Sequence, residues 1–185
     1  MAAQTKPSKN SAVKKSNRMP EQQLAQHNLA LTDAQSRYRG LFDDSPLPLW
    51  VEDFSEVRQY LHSLRDQGVQ DLRVYLKEHA EAVLACQMRF KVLDVNQACL
   101  QLYQAGSKEE LLNSLGKVFG EEIGEDFYDE MDAISEARKD FECEFVNYKL
   151  TGEPMDIHLT WTVQPDVASP WDRVILASVD ITQEI

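Results

Sequence analysis

Two stretches of strict alternation dominate the second half of the chain. Phe141, Cys143 and Phe145 alternate with Glu142 and Glu144. Met155, Ile157, Leu159, Trp161 and Val163 alternate with Asp156, His158, Thr160, Thr162 and Gln164. Alternation at period two puts one row of side chains on each face of a strand, so both stretches read as strands with one buried face. Thr151-Gly152-Glu153 separates them as a turn, which makes the pair an antiparallel hairpin. Gln164–Asp172, holding Pro165 and Pro170, reads as a loop. Arg173–Asp180, built on the apolar run Val174–Val179, reads as a buried last strand.

Upstream the spacing switches to helical. Glu21–Phe42 carries Leu24, Leu31 and Tyr38 every seven residues, with His27, Ala34 and Leu41 at the intervening d-type positions. This short, imperfect seam reads either as an amphipathic helix folded onto its own domain or as a dimeric coiled coil of minimal length. Gly40 weakens its end and Asp43-Asp44-Ser45-Pro46 breaks it. Leu47–Phe54 reads as a strand with Trp50 and Phe54 as its large apolar members. Ser55 then caps a helix through about Gln67, with Val57, Leu61 and Leu64 on one face and Gly68 at its end. A second helix is expected over Gln70–Cys86, on a stripe of Leu72, Tyr75, Leu76, Val83 and Leu84, and a second strand over Phe90–Val95. Asn96 is placed to cap a helix over Gln97–Gln104, which Gly106 stops. Ser107 followed by Glu110 is a capping box for the next helix. Glu125–Lys139 carries the stripe Phe127, Met131 and Ile134, with acids early and Arg138-Lys139 late, as the helix dipole favours. This order predicts an α+β fold: a five-stranded antiparallel sheet with helices on one face, preceded by an N-terminal helix.

Length and composition agree with that outline. A chain of 185 residues suits one domain plus extensions, and a hydrophobic content of 43% suffices for a packed core. No apolar run approaches the ~18 residues of a membrane span, and Met1–Pro20 lacks the apolar core of a secretory signal. Cys86, Cys99 and Cys143 are far apart and lack CxxC spacing, so neither a disulfide framework nor a zinc site is expected. A cytoplasmic, bacterial-type protein is the simplest compartment reading. Charge divides the chain. Lys6, Lys9, Lys14, Lys15 and Arg18 fall in the first 20 residues, which hold no acid. The remainder holds 14 basic against 31 acidic residues, a net of −17. So acidic a body argues against nucleic-acid binding, which needs a basic footprint. The basic tail reads as a disordered, solubilising terminus.

Three stretches carry a resemblance. Tyr38-Arg39-Gly40-Leu41-Phe42-Asp43-Asp44-Ser45-Pro46 resembles the segment that leads into the first strand of a PAS domain, the sensory module of bacterial histidine kinases and diguanylate cyclases. Val92-Leu93-Asp94-Val95-Asn96-Gln97-Ala98 resembles that family's strand-to-helix signature. Asp180-Ile181-Thr182 resembles its closing Asp-Ile-Thr, which joins the last strand to an output helix. The resemblance covers about Tyr38–Glu184. Together with the composition and spacing above, it divides the chain into a basic tail over 1–20, a signalling and dimerisation helix over 21–42, a PAS domain over 43–182, and the start of an output linker helix over 183–185. One departure stands out: residues 55–89 supply two helices where the family has a short turn. Trp50-Val51-Glu52-Asp53-Phe54-Ser55 looks like the stretch that precedes such an insertion in a subset of sensory-box proteins. The insertion is expected to cover one edge of the sheet and to alter the usual pocket mouth.

No catalytic constellation is present: GxSxG, P-loop and GxGxxG are all missing. Acid pairs such as Asp43-Asp44, Glu121-Glu122 and Asp129-Glu130 read as solvated faces in so acidic a chain. His27, His62, His79 and His158 are scattered, and no metal site is expected. The resemblance raises two cofactors. Flavin-photosensing members carry a reactive cysteine in an Asn-Cys-Arg-Phe helix motif, whereas this chain has Asn96-Gln97-Ala98-Cys99-Leu100-Gln101. Haem-binding members present a histidine from the long helix, and Glu125–Lys139 has none. Neither cofactor is expected, which leaves a small metabolite or no ligand. Cys99 and Cys143 read as small buried hydrophobes. Trp50, Leu102, Tyr103, Phe127, Met131, Phe145, Leu159 and Trp161 are the candidate lining of a ligand pocket, and they serve equally as plain core.

The function expected from these readings is a non-catalytic sensory module. It dimerises through Leu24, Leu31, Tyr38 and Leu41. It relays a ligand or partner signal through Asp180, Ile181 and Thr182 to a downstream output domain such as a histidine kinase or diguanylate cyclase. A ligand-free dimerisation and interaction module is the alternative. Residue 185 falls where an output helix has barely begun, which fits either reading.

Overall fold

The computed structural model describes residues 21–120, 122–163 and 168–182, so the expected basic tail and the linker start at 183–185 lie outside it. The chain divides into two units, one reaching Tyr38 and the other beginning at Arg39. Helix α1 (Glu21–Asp43) supplies the described part of the first unit. Leu24, Leu31 and Tyr38 are about half exposed along it, and Leu41, in the second unit, is 80% exposed.

The second unit is built on five antiparallel strands: β1 (Leu49–Asp53), β2 (Lys91–Val95), β3 (Asp140–Tyr148), β4 (Pro154–Thr162) and β5 (Val174–Asp180). They lie in the order β2-β1-β5-β4-β3. The alternation in the sequence becomes the inner face of this sheet. Phe141, Cys143, Phe145 and Asn147 on β3 stand opposite Trp161, Leu159, Ile157 and Met155 on β4, and Leu176 on β5 sits between Trp161 and Trp50. Gly152, at φ +90, makes the hairpin turn, a conformation that costs a residue without a Cβ little. Between Val51 and Glu52 the β1–β2 register shifts, a bulge of the kind that re-aims a side chain.

Helices cover that inner face. The insertion forms α2 (Ser55–Asp66), α3 (Leu72–Glu78) and α4 (Ala80–Gln87), and the rest are α5 (Gln97–Tyr103), α6 (Lys108–Leu112), α7 (Leu115–Phe119) and α8 (Glu125–Ser135). The continuous helix expected over Gln70–Cys86 is two helices. His79 leaves helical geometry at φ −128, ψ 86, and its Nδ1 lies 2.8 Å from the Tyr75 carbonyl oxygen. Leu84, expected on the buried stripe, is exposed. Ser55 is not the cap of α2. Its N–H and hydroxyl both donate to Asp53 Oδ1 instead. Helix α8 stops at Ser135 because Ala137 turns to φ +54, so Arg138 and Lys139 lie beyond the helix they were expected to close. Gln104, not Gly106, is the left-handed residue that ends α5.

Other local signals produce the geometry they predict. Asn96 Oδ1 accepts the Cys99 N–H at 3.1 Å, and Ser107 Oγ accepts the Glu110 N–H at 3.1 Å. The Glu110 carboxylate reaches back to the Gly106 N–H at 2.7 Å, one residue earlier than a reciprocal box requires. The insertion joins the core through Val57, Leu61, Leu72 and Leu76. It is tied to α8 by Arg73, which pairs with Glu125, Asp129 and Asp132, and by Lys77, which pairs with Glu125 at 2.8 Å.

Candidate functional site

The period-two row on β1 runs Trp50, Glu52, Phe54. It carries a carboxyl group onto the inner face between two aromatic rings, where Glu52 is only 8% exposed. The helical stripe on α8 does the same. Glu130 falls three residues after Phe127 and directly before Met131, which points it at the sheet instead of at water. Both acids face one cavity of about 370 Å³ between sheet and helices, within the ~300–1,000 Å³ usual for small-molecule sites. The acid pair Asp129-Glu130 is therefore not a solvated face. Asp129 is exposed and pairs with Arg73, whereas Glu130 turns inward.

Of the residues expected to line a pocket, Trp50, Tyr103, Phe127, Phe145 and Leu159 come together around this cavity. Leu102, Met131 and Trp161 lie outside its lining. Met131 and Trp161 are fully packed core, and Leu102 packs against that core. Trp161 still touches the site indirectly, since its indole Nε1 donates to Glu130 Oε1 at 3.0 Å. Phe90, Phe119, Cys143, Leu176 and Gln87 complete much of the wall. Gln87 ends α4 and Phe90 follows it, so the end of the insertion forms part of the cavity. A wider depression lined by Arg73, Asp129, Asp132 and Arg138 is open and highly charged, a surface feature without an enclosed floor.

Two hydrogen bonds join residues that line the cavity. The Trp50 indole Nε1 donates to Ser178 Oγ at 3.0 Å, and Asn147 Nδ2 donates to the Tyr103 hydroxyl at 2.9 Å. Trp50 and Tyr103 meet edge to face at 5.3 Å, an arrangement that aromatic quadrupoles favour. Asn147 is 2% exposed, yet its Oδ1 has no hydrogen-bond partner among the described residues. Such groups are rare in folded proteins because each forfeits a desolvation free energy of about 1–3 kcal/mol.

Burial dominates the electrostatics. Desolvation, with repulsion from Glu130, pushes Glu52 up to about 8, and desolvation with the Asp126 charge pushes Glu130 up to about 7. Burial raises Asp126 too, and raises the Tyr103 hydroxyl and the Cys143 thiol. No lysine, arginine or histidine lines the cavity among the described residues. Nor do the described residues contain a His, Cys, Asp and Glu grouping fit for a metal, or a helix long and apolar enough to cross a membrane. Flavin photochemistry of the expected type needs a reactive cysteine on the helix after Asn96. Cys99 is fully buried, its Sγ donates to the Leu49 carbonyl at 3.1 Å, and it does not line the cavity, so the residues do not fit that chemistry.

At the far end of β5, two residues beyond Ser178, Asp180 Oδ1 accepts the Thr182 N–H at 3.0 Å and the Thr182 hydroxyl. Thr182 Oγ1 accepts the Asp156 N–H at 2.9 Å, and the Ile181 N–H donates to the Asp156 carbonyl. The expected exit residues thus form a turn pinned to β4.

No protein-family model matches the sequence, and no curated protein matches it. Solved structures do. The PAS domain of an HTR-like protein from Haloarcula marismortui is 16% identical, with a TM-score of 0.52 over 85% of this chain and 99% of that one. A LOV protein from Rhodobacter sphaeroides is 16% identical, with a TM-score of 0.52 over 78% of this chain and 66% of that one. An RNA-binding light-oxygen-voltage receptor is 13% identical, with a TM-score of 0.52 over 92% of this chain and 37% of that one. The likeness is one of fold.

Proposed function

We propose that this chain, which has the PAS fold, is a non-catalytic sensory module. Its cavity takes a small molecule, and β5 passes the occupied state to a downstream output domain such as a histidine kinase or diguanylate cyclase. The observation that carries this reading is a cavity of about 370 Å³ walled by aromatic rings, onto which two buried carboxyl groups, Glu52 and Glu130, are turned. A few polar groups converging in an apolar cavity are what a small-molecule site needs. The route outward is short. Ser178 holds Trp50 at the cavity, and the Asp180–Thr182 turn lies two residues further along the same strand. A ligand that favours one arrangement of this strand shifts the population of its exit, and without differential affinity it shifts nothing. We assign homodimerisation to Leu24, Leu31, Tyr38 and Leu41 on α1, whose exposure equally favours the alternative of a ligand-free interaction module.

Native mass spectrometry of gently purified protein separates the two readings. The sensory reading expects a dimer carrying one small molecule per protomer, and an empty dimer favours the interaction module. Asp180→Ala is expected to leave the domain folded. It removes hydrogen bonds at an exposed turn, at a cost of about 1 kcal/mol, measured by urea denaturation, while output of the full protein uncouples from its signal. Collapse of the fold contradicts a connector role.

A further inference from the structure

The cavity is acidic and aromatic, and no basic group lines it among the described residues. Glu52 and Glu130 face it from opposite layers, Glu52 from strand β1 and Glu130 from α8. Glu130 has one oxygen engaged, by Trp161, and Glu52 has no hydrogen bond or ion pair to any described residue. Asn147 Oδ1, buried behind the cavity wall, also has no donor among the described residues. Aromatic rings stand around them, among them Trp50, Phe127 and Phe145. An apolar residue at either acidic position stabilises a plain core better, since burying an unpaired carboxylate is costly. What compensates two such groups and a ring of aromatic faces is a positive charge bearing N–H donors.

We propose that the cavity takes a small organic cation, an ammonium on an apolar or aromatic body, with Glu52 and Glu130 as counter-ions and the aromatic rings around its body. This rests on the reading of the cavity as a ligand site and names the class of ligand. The titratable groups that line the cavity with Glu52 are Glu130 and Asp126 from α8, Glu122 ahead of it, Cys143 from β3 and Tyr103 from α5, so among the described residues no cation competes for the site. Without ligand, the buried carboxyl holds its proton at neutral pH. An arriving ammonium keeps its own proton and displaces that of Glu52 to solvent.

The test is isothermal titration of the full chain with benzylamine, benzyl alcohol and benzoate, three probes of like size that differ in charge. Benzylamine is expected to bind at least about tenfold more tightly than benzyl alcohol, with benzoate excluded. Amine affinity rises from about pH 6 to about pH 8 as Glu52 yields its proton, while that of the alcohol stays level. Glu52→Gln lowers the amine's advantage, the double variant Glu52→Gln/Glu130→Gln abolishes it, and both keep the alcohol. If the alcohol binds as tightly as the amine, or the double variant keeps the preference, the cation is overturned while the cavity stands as a ligand site. If none of the three binds to folded protein at millimolar concentration, both fall. The comparison of probes on the unmodified chain remains decisive even where the variant folds poorly.

Discussion

Asn96→Ala lowers the unfolding free energy by about 3–5 kcal/mol, enough to leave a marginal domain largely unfolded at room temperature. The side chain is fully buried and fully engaged. Its Oδ1 accepts the Leu49 N–H at 3.0 Å and the Cys99 N–H at 3.1 Å. Its Nδ2 donates to the Leu47 carbonyl at 2.8 Å and the Phe42 carbonyl at 3.0 Å. One amide thus ties the segment before β1, the start of β1 and the first turn of α5 into a single joint. Alanine leaves both N–H groups and both carbonyls without their partner, and no apolar substitute meets both kinds of group. Asn96→Asp separates the two halves of the claim. It keeps the acceptor that caps α5 and loses the donors, so it falls between wild type and Asn96→Ala in urea denaturation. Equal stability of wild type and Asn96→Asp refutes the role of the Nδ2 bonds.

Glu52→Gln, by contrast, stabilises the protein, and increasingly so as pH rises from the ordinary glutamate value to about 8. The folded state holds the Glu52 proton up to about pH 8, whereas the unfolded chain gives it up near the ordinary glutamate value. Between those values the native state binds more protons than the unfolded one, so the contribution of this group to stability falls as pH rises. It is most favourable below the ordinary value and lost above 8. Glutamine stays neutral throughout. With no ligand added, the variant matches wild type near pH 5 and exceeds it by about 2–4 kcal/mol near pH 9, given ~1.4 kcal/mol per pKa unit. Chemical denaturation of both proteins across that range measures the difference directly. A constant offset at all pH values shows Glu52 to be solvated.

The elements that announced themselves in the sequence are those whose burial has a simple period. The β3–β4 hairpin was legible because one face is packed and the other wet, which writes alternation into Phe141–Phe145 and Met155–Trp161. The Asn96 cap was legible because capping needs a short polar side chain after an apolar strand. The break at His79 was not, since Leu72–Cys86 carries one continuous apolar stripe and neither proline nor glycine marks the kink. The end of α8 escaped for a similar reason: Ala137, not a glycine, takes the left-handed turn.

The site was half visible. Its aromatic walls follow from periodicity, but Glu130 was read as solvent-facing because acids usually are, and Glu52 was given no place in the site. The same periods that place Trp50 and Phe54, or Phe127 and Met131, place these two acids beside them, and Asn147 continues the row Phe141, Cys143, Phe145. An acid on an apolar row was the available signal. The cavity itself depends on where side chains fail to meet, which no spacing encodes.

The central claim is that the state of the cavity reaches the exit of β5. Cys143→Phe adds a ring to the cavity wall and so stands in for a ligand. Hydrogen exchange at the Ile181 and Thr182 amides, compared between this variant and wild type, reads the result. The account predicts changed protection at these two amides while the β3–β4 core stays protected. Unchanged exchange at both, in a folded variant with its cavity filled, contradicts it.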